Sequence, residues 1–276
     1  MALVNPSAMI GRALHAGRAV PAFNVDSPEM MAAVVRAASP TKSAIIVQCT
    51  QETLAIWGVR ALVAWIRHLS GEHAVEVGLV LDHVKDTHPI VEALEAGFTG
   101  VMYDGSTLPV AENIAVTQKV VALARSHQAY VEGEIGHVGR DGEPKAWEQL
   151  TDPAGAREFY AQTGVDALAI AIGSQHGHYR GPEHIDLPRL EAAHRLEPHL
   201  PLVLHGGSGV PDALLPDLAR RGMAKMNFGN QLRRLWWEAI QGATETKPRV
   251  ALDRAMRAIE QYAAKKIDQL NPKERT

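Results

Sequence analysis

The chain has 276 residues, 28 Lys and Arg against 31 Asp and Glu for a net charge of −3, and a single cysteine. Its length suits one domain of α/β-barrel size, about 250 residues, so residues 1–276 are read as a single domain. The weak negative balance gives no footprint for nucleic acid or an anionic membrane surface, and Cys49 alone excludes an internal disulfide or a site of several thiolates.

In chain order, apolar runs predict strands at 19–25, 43–49, 77–83, 100–104, 129–135, 167–173, 201–205 and 223–228. Continuous apolar runs are the mark of parallel strands buried on both faces. Each ends in a residue capable of chemistry: Asn24, Cys49, Asp82 with His83, Asp104, Glu132 with Glu134, His176, His205 and Asn227. Helix signals fall between the strands, such as Ser27 before Pro28, Asp152 before Pro153, and Gly97 and Gly222 after their helices. The segment 137–152, HVGRDGEPKAWEQLTD, is long and polar just after a strand, the composition of a mobile active-site loop. Beyond the eighth strand, 230–241 and 250–267 read as two more amphipathic helices. The alternation predicts an α/β fold, a (β/α)8 TIM barrel with extra C-terminal helices, whose active site lies at the C-terminal strand ends. No apolar run reaches 18 residues and the N-terminus has no uninterrupted apolar stretch, which predicts a soluble cytoplasmic protein.

Three histidines follow three different strands. Singly, each is more often a hydrogen-bonded rim residue than a ligand. Together at one barrel face, His83, His176 and His205 suit Zn²⁺ with an open fourth position, and His178 competes with His176 for the role. Asp82 reads either as a proton carrier or as an acceptor that orients a neighbouring histidine. For Asp104, in YDGS, the orienting or helix-capping role is favoured. Glu132 and Glu134 share a strand face by period two and line the interior, where a carboxylate needs a charged partner or a metal. HGGSGVP at 205–211, HGHYR at 176–180 and NFGN at 227–230 place glycines where backbone N–H groups can cradle a phosphate. Trp236 and Trp237 read as core or subunit-interface residues, and Arg233 and Arg234 as solvated.

With these residues in place, the chain resembles the class II, zinc-dependent ketose-bisphosphate aldolases, the fructose and tagatose bisphosphate aldolase family. The resemblance runs from AFNV at 22–25 through LDH at 81–83, VMYDGS at 101–106, VEGEIG at 131–136, TGVDALAIAIGSQHGHY at 163–179 and PLVLHGGSGVP at 201–211 to KMN at 225–227. It implies reversible cleavage of a phosphorylated ketose to dihydroxyacetone phosphate and an aldehyde such as glyceraldehyde 3-phosphate. It also implies one catalytic zinc per chain, a monovalent cation near the phosphate site, and a homodimer or homotetramer. His83, His176 and His205 match the zinc ligands, and Glu134 matches a carboxylate that approaches the metal in the unliganded site. Asp82 matches the acid that carries the proton of the aldehyde oxygen, and Glu143, or Asp141, the loop acid that moves the C3 proton. Gly177, Ser208 and Asn230 match phosphate-loop positions, and Asn227 the contact to the dihydroxyacetone portion. Asn24, Arg180, Gly206, Gly207 and Gly229 belong to the same substrate-binding set. Arg249, in KPR, resembles an arginine that reaches the distal phosphate, often across a dimer interface. Val84, where the family often has a small residue, is expected to narrow the mouth.

The runner-up is an aldolase for a modified ketose phosphate, deoxy or sulfonated. A different class is a non-catalytic barrel subunit, against which the three histidines and Asp82 argue. Lys42, Lys85 and Lys225 are candidates for a rival imine mechanism, to which three histidines would be superfluous.

Overall fold

The computed structural model describes residues 3–136, 138, 150–175, 177, 185–244 and 246–271. Eight strands close a parallel barrel in sequence order: β1 (Val20–Asn24), β2 (Ile45–Cys49), β3 (Val77–Val84), β4 (Gly100–Tyr103), β5 (Tyr130–Ile135), β6 (Ala167–Ile170), β7 (Leu202–Leu204) and β8 (Met223–Phe228), with β8 beside β1. The predicted (β/α)8 barrel is therefore the architecture of the chain. Around it run α2 (Pro28–Ala38), α3 (Gln51–Trp57), α4 (Val59–His73), α5 (Thr87–Ala96), α6 (Val110–Ser126), α7 (Pro153–Thr163), α8 (Leu187–Leu196) and α9 (Leu215–Arg220). The expected C-terminal additions are α10 (Asn230–Gln241) and α11 (Pro248–Leu270), the latter lying against α2. No described helix is long and apolar enough to cross a membrane.

The punctuation acts as its chemistry requires. Ser27 caps α2 by accepting from the Met30 N–H at 3.3 Å, with Pro28 at the first helical position. Asp152 does the same for α7. α1 (Pro6–His15) was not anticipated. It closes the N-terminal end of the barrel, where Met9, Ile10 and Ala13 pack with inward Val20, Ile46, Val80 and Val203. Its marks in the sequence are those of a helix start, Asn5, which accepts from the Ser7 N–H, and Pro6 at the first helical position, ahead of a single short amphipathic stretch.

Two departures from a regular barrel position the site. The first is in β3, whose pairing with β4 shifts between Leu81 and Val84, with His83 at φ 53°. Asp82 and His83 thus reach one mouth through a bulge within a continuing strand, not through a frayed strand end. Val84, 1% exposed, packs in the hydrophobic core, so it does not narrow the mouth. The second is polar. Above the apolar floor, Glu132 lies fully buried with one carboxylate oxygen 2.7 Å from Lys225 Nζ and 2.7 Å from Tyr130 Oη. Lys225 is therefore committed to an ion pair. Removing one partner of such a pair leaves a buried charge and typically costs about 3–5 kcal/mol, whereas replacing both is much less costly. Lys225→Met should lower unfolding stability by about that amount, and adding Glu132→Gln should recover part of it. Urea unfolding of the two variants checks this, and equal losses in both would contradict it.

Candidate active site

Asp82 is 1% exposed, and both of its oxygens are claimed by side-chain amides from neighbouring strands. Asn24 Nδ2 on β1 donates to Oδ2 at 2.6 Å and Gln48 Nε2 on β2 donates to Oδ1 at 2.7 Å. Two neutral donors fix the carboxylate in one orientation without cancelling its charge. Gln48 is a site residue that the strand endings alone did not single out. Its signal is parity: it precedes the last residue of β2 and pairs in register with Asn24 of β1, so both amides face the interior.

Beside Asp82, His83 and His205 meet edge to face, with ring centroids 4.6 Å apart. His205 Nε2 lies 2.9 Å from Glu132 Oε1, which turns Nδ1 toward Glu134 Oε2 at 3.5 Å. His83 Nδ1 lies 3.4 Å from Asp104 and 4.0 Å from the same Glu134 oxygen. Asp104 is held in turn by Ser106, whose hydroxyl donates at 2.6 Å and whose N–H donates at 3.2 Å. Ligand atoms of Asp82, His83 and His205 all lie within 4.8 Å of one another, as do those of His83, Asp104 and Glu134.

The electrostatics of this cluster favour positive charge. Burial alone would depress the His83 imidazole, but Asp82, Asp104 and Glu134 around it raise it to about 9. Glu134 is pushed up by burial, only partly offset by His205 and His83. Glu132 goes the other way: burial opposes its charge, but Lys225 and His205 draw it down to about 2. Asp104 is likewise held below the usual carboxylate range, against burial, by His83 and Ser106. Two imidazoles and two or three carboxylates converging in a buried space form a donor set suited to a divalent cation such as zinc. Glu134 Oε2, buried and without a hydrogen-bond partner among the described residues, points the same way.

The cluster opens into a cleft of about 500 Å³. Asn24, Asp82, His83 and Asn227 form one part of its wall, and Gly177, Gly206, Ser208, Gly229 and Asn230 another. Asn227 is 4% exposed, and both its side-chain polar atoms lack partners among the described residues. Gly206 permits the approach of the loops: at φ 72°, a Cβ there would sit 2.3 Å from the Gln175 carbonyl oxygen. Gly207 is buried behind the wall, where its own Cβ would lie 2.8 Å from the Asn227 carbonyl oxygen. Arg249 is exposed at the start of α11 and does not line the cleft. His176, His178, Arg180, Asp141 and Glu143 lie outside the described residues. Arg233, expected to be solvated, instead lines the cleft with Asp26, to which it is bound through two nitrogens. Cys49 is buried, which pushes its thiol up and leaves it unreactive.

The chain as a whole has relatives among known proteins. Residues 4–275 match the family model described as fructose-bisphosphate aldolase class-II. The chain is 35% identical over 253 residues to a probable fructose-bisphosphate aldolase of Bacillus subtilis (strain 168), covering 90% of this chain and 88% of that one. It is 33% identical over 279 residues to the 6-phospho-5-dehydro-2-deoxy-D-gluconate aldolase of Shouchella clausii (strain KSM-K16), covering 98% and 94%. The crystal structure of the YdjI aldolase from Escherichia coli K12 superposes with a TM-score of 0.87 at 26% identity, covering 98% of this chain and 97% of that one. A family match over nearly the whole chain, on a barrel of the same shape, means that the chain belongs to the class II fructose-bisphosphate aldolase family, whose members are lyases.

Proposed function

We propose that this aldolase, acting as one domain over residues 1–276, cleaves a phosphorylated ketose reversibly into dihydroxyacetone phosphate and an aldehyde, with one zinc ion per chain. The observation that carries the reading is a cation-favouring cluster, Asp82, His83, His205 and Glu134, opening beside a glycine-lined wall in one cleft. His83 and His205 would hold the metal with His176, and Glu134 would be placed to approach it when no substrate is present. When bound, zinc supplies Lewis-acid polarisation of the substrate carbonyl, so an imine-forming lysine is not required. Lys225 is poorly suited to that rival role, being fully buried and paired with Glu132.

Asp82 takes the proton of the C4 hydroxyl as the C3–C4 bond breaks, and returns it to the aldehyde oxygen in the reverse direction. The amides of Asn24 and Gln48 keep its oxygens in place for that transfer. The C3 proton is then carried by an acid of the loop after β5, Glu143 or Asp141, a role supported by the family resemblance. Asn227 offers an unpartnered amide to the hydroxyls of the dihydroxyacetone portion, and the N–H groups around Gly206, Ser208 and Gly229 offer donors to its phosphate. The ketose is fructose 1,6-bisphosphate, which fits the name of the first relative, its tagatose counterpart, or a deoxy sugar acid phosphate, which fits the name of the second. The carboxylate of such a product aldehyde, or its phosphate, would be met by Arg249, supplied by a neighbouring subunit of a homodimer or homotetramer. Action in the cytoplasm agrees with this soluble phosphorylated chemistry.

Purified protein should contain about one zinc per chain, as three histidine ligands imply. Chelation should abolish cleavage and added zinc should restore it, while His205→Ala should lose the metal itself. Elemental analysis with a coupled assay for dihydroxyacetone phosphate checks both, and full activity in verified metal-free protein would contradict the reading. Asp82→Ala should lower kcat by about 10² to 10⁴, the usual contribution of a proton-transfer group, yet keep its zinc. Loss of zinc from this variant would move Asp82 from proton carrier to ligand. A panel of phosphorylated ketoses, with distal phosphate or carboxylate, identifies the physiological aldehyde.

A further inference from the structure

The buried face of α11 includes a charge. Lys266 is 3% exposed, on the same face as Ala263, Ile267 and Leu270. Its Nζ is bound to Asp212 Oδ1, while the other oxygen of that carboxylate is met from the surface by Lys265 Nζ at 2.6 Å. The Lys266 ammonium also stands over two rings, 5.1 Å from the centroid of Phe228 and 5.3 Å from that of Tyr262. Those rings meet edge to face at 6.4 Å. Phe228 lies between Asn227 and Gly229, and its ring backs the turn 207–209: a Cβ on Gly207 would be 3.1 Å from Phe228 Cε1. The Tyr262 hydroxyl is buried without a well-formed hydrogen bond among the described residues. Ser208 nevertheless stands near enough to draw the phenol down against the burial that raises it.

We propose that Tyr262 and Lys266 are positioning residues of the phosphate subsite: the Tyr262 hydroxyl donates to Ser208 Oγ when phosphate is bound and turns the Ser208 O–H into the cleft, and Lys266 holds the Tyr262 ring and Asp212 in place for it. The inference rests on the ketose phosphate reading above and extends it to a helix that does not line the cleft. A serine hydroxyl has one donor and two acceptor sites. The Gln231 N–H already approaches Ser208 Oγ at 3.4 Å. With a second donor from Tyr262, both acceptor sites are filled, and the O–H is left for an anion in the cleft that Ser208 lines. An apolar side chain would fill the buried position of Lys266 at lower cost than an ammonium, and Lys265 already gives Asp212 a counter-charge. What the buried ammonium adds is geometry: through one nitrogen it joins Asp212, in the segment that follows Ser208, to the rings of Tyr262 and Phe228. If the group served only to fasten α11 to the barrel, its loss would lower stability and leave phosphate discrimination alone.

The test uses zinc-loaded, full-length protein and three ligands: inorganic phosphate, dihydroxyacetone phosphate and dihydroxyacetone. Tyr262→Phe should weaken the first two by about 3- to 10-fold, the scale of one hydrogen bond, and leave dihydroxyacetone within about two-fold. It should not lower the urea midpoint, because the hydroxyl it removes is unpartnered among the described residues. In a Ser208→Ala background the same change should have no further effect on phosphate, since Tyr262 acts through that hydroxyl. Lys266→Met should weaken the same two ligands, whereas Lys265→Met, which removes only an exposed ion pair, should leave all three within about two-fold. Should Lys266→Met fail to fold, Tyr262→Phe alone and in the Ser208→Ala background carries the test. Unchanged phosphate affinity in folded Tyr262→Phe, equal weakening of all three ligands, or losses that add to those of Ser208→Ala overturn the inference. A wild-type protein that binds neither phosphate nor dihydroxyacetone phosphate overturns the ketose phosphate reading itself, and the inference with it.

Discussion

Four carboxylates, Asp82, Asp104, Glu132 and Glu134, are buried at the C-terminal end of the barrel, and among the described residues only Glu132 has a lysine beside it. Unneutralised charge in such a place is costly, and a protein relieves it with protons, partner cations or a metal. The rest of the site is an answer to that constraint. Lys225 settles Glu132, Ser106 and His83 settle Asp104, and the amides of Asn24 and Gln48 hold Asp82 without discharging it. Glu134 remains, pushed toward its neutral form by burial and facing both imidazoles. A divalent cation among these groups would supply the positive charge that the His83 proton otherwise provides.

The hierarchy behind the histidines matters for the same reason. His205 is fully buried with Nε2 against Glu132, so Nδ1 is left to face the cluster. Glu132 is in turn fixed by Tyr130 and Lys225 from the layer beneath. A ligand whose other nitrogen is held by a carboxylate keeps one ring orientation and one tautomer, which is how acceptors behind a metal site tune affinity. Replacing the Glu132–Lys225 pair by apolar residues is expected to cost little stability, so it is the orientation of His205 that gives the pair a reason to be ionic.

Much of the barrel was legible because burial on both faces leaves a simple trace. Apolar runs ending in polar residues located all eight strands, and the strand ends named Asp82, His83, Asp104, Glu134, His205 and Asn227 as neighbours before any contact was known. What the runs could not carry was pairing across distance. Arg233 follows Asn230 in an unremarkable helical stretch, and nothing near it in sequence foretells Asp26 as its partner. Lys225, read as a possible imine former, is shown by its register on β8 to be the counter-ion of β5. The α1 plug was missed for a related reason: ten residues with one apolar face look like any short surface helix until the open barrel end they cover is in view.

The backbone supplies an independent sign of which part of the molecule is built for chemistry. Four described residues other than glycine have positive φ: Lys42, Ala74, His83 and Gln128. Lys42 lies in the turn after α2, Ala74 ends α4, and Gln128 follows α6, all places where chains routinely reverse. His83 alone sits within a strand, at the register shift of β3. Such a conformation costs about 1–3 kcal/mol and persists only where its surroundings over-determine it. Here they do: Val84 is buried in the core on one side, Asp82 is bound by two amides on the other, and the Asp104 N–H donates to the Val84 carbonyl at 2.8 Å. A regular strand would place Asp82 and His83 on opposite faces, one in the cleft and the other among the helices. The bulge brings an acid and an imidazole from consecutive residues into one cleft, and the strain it stores falls where the proposed proton carrier and the proposed metal ligand would stand side by side.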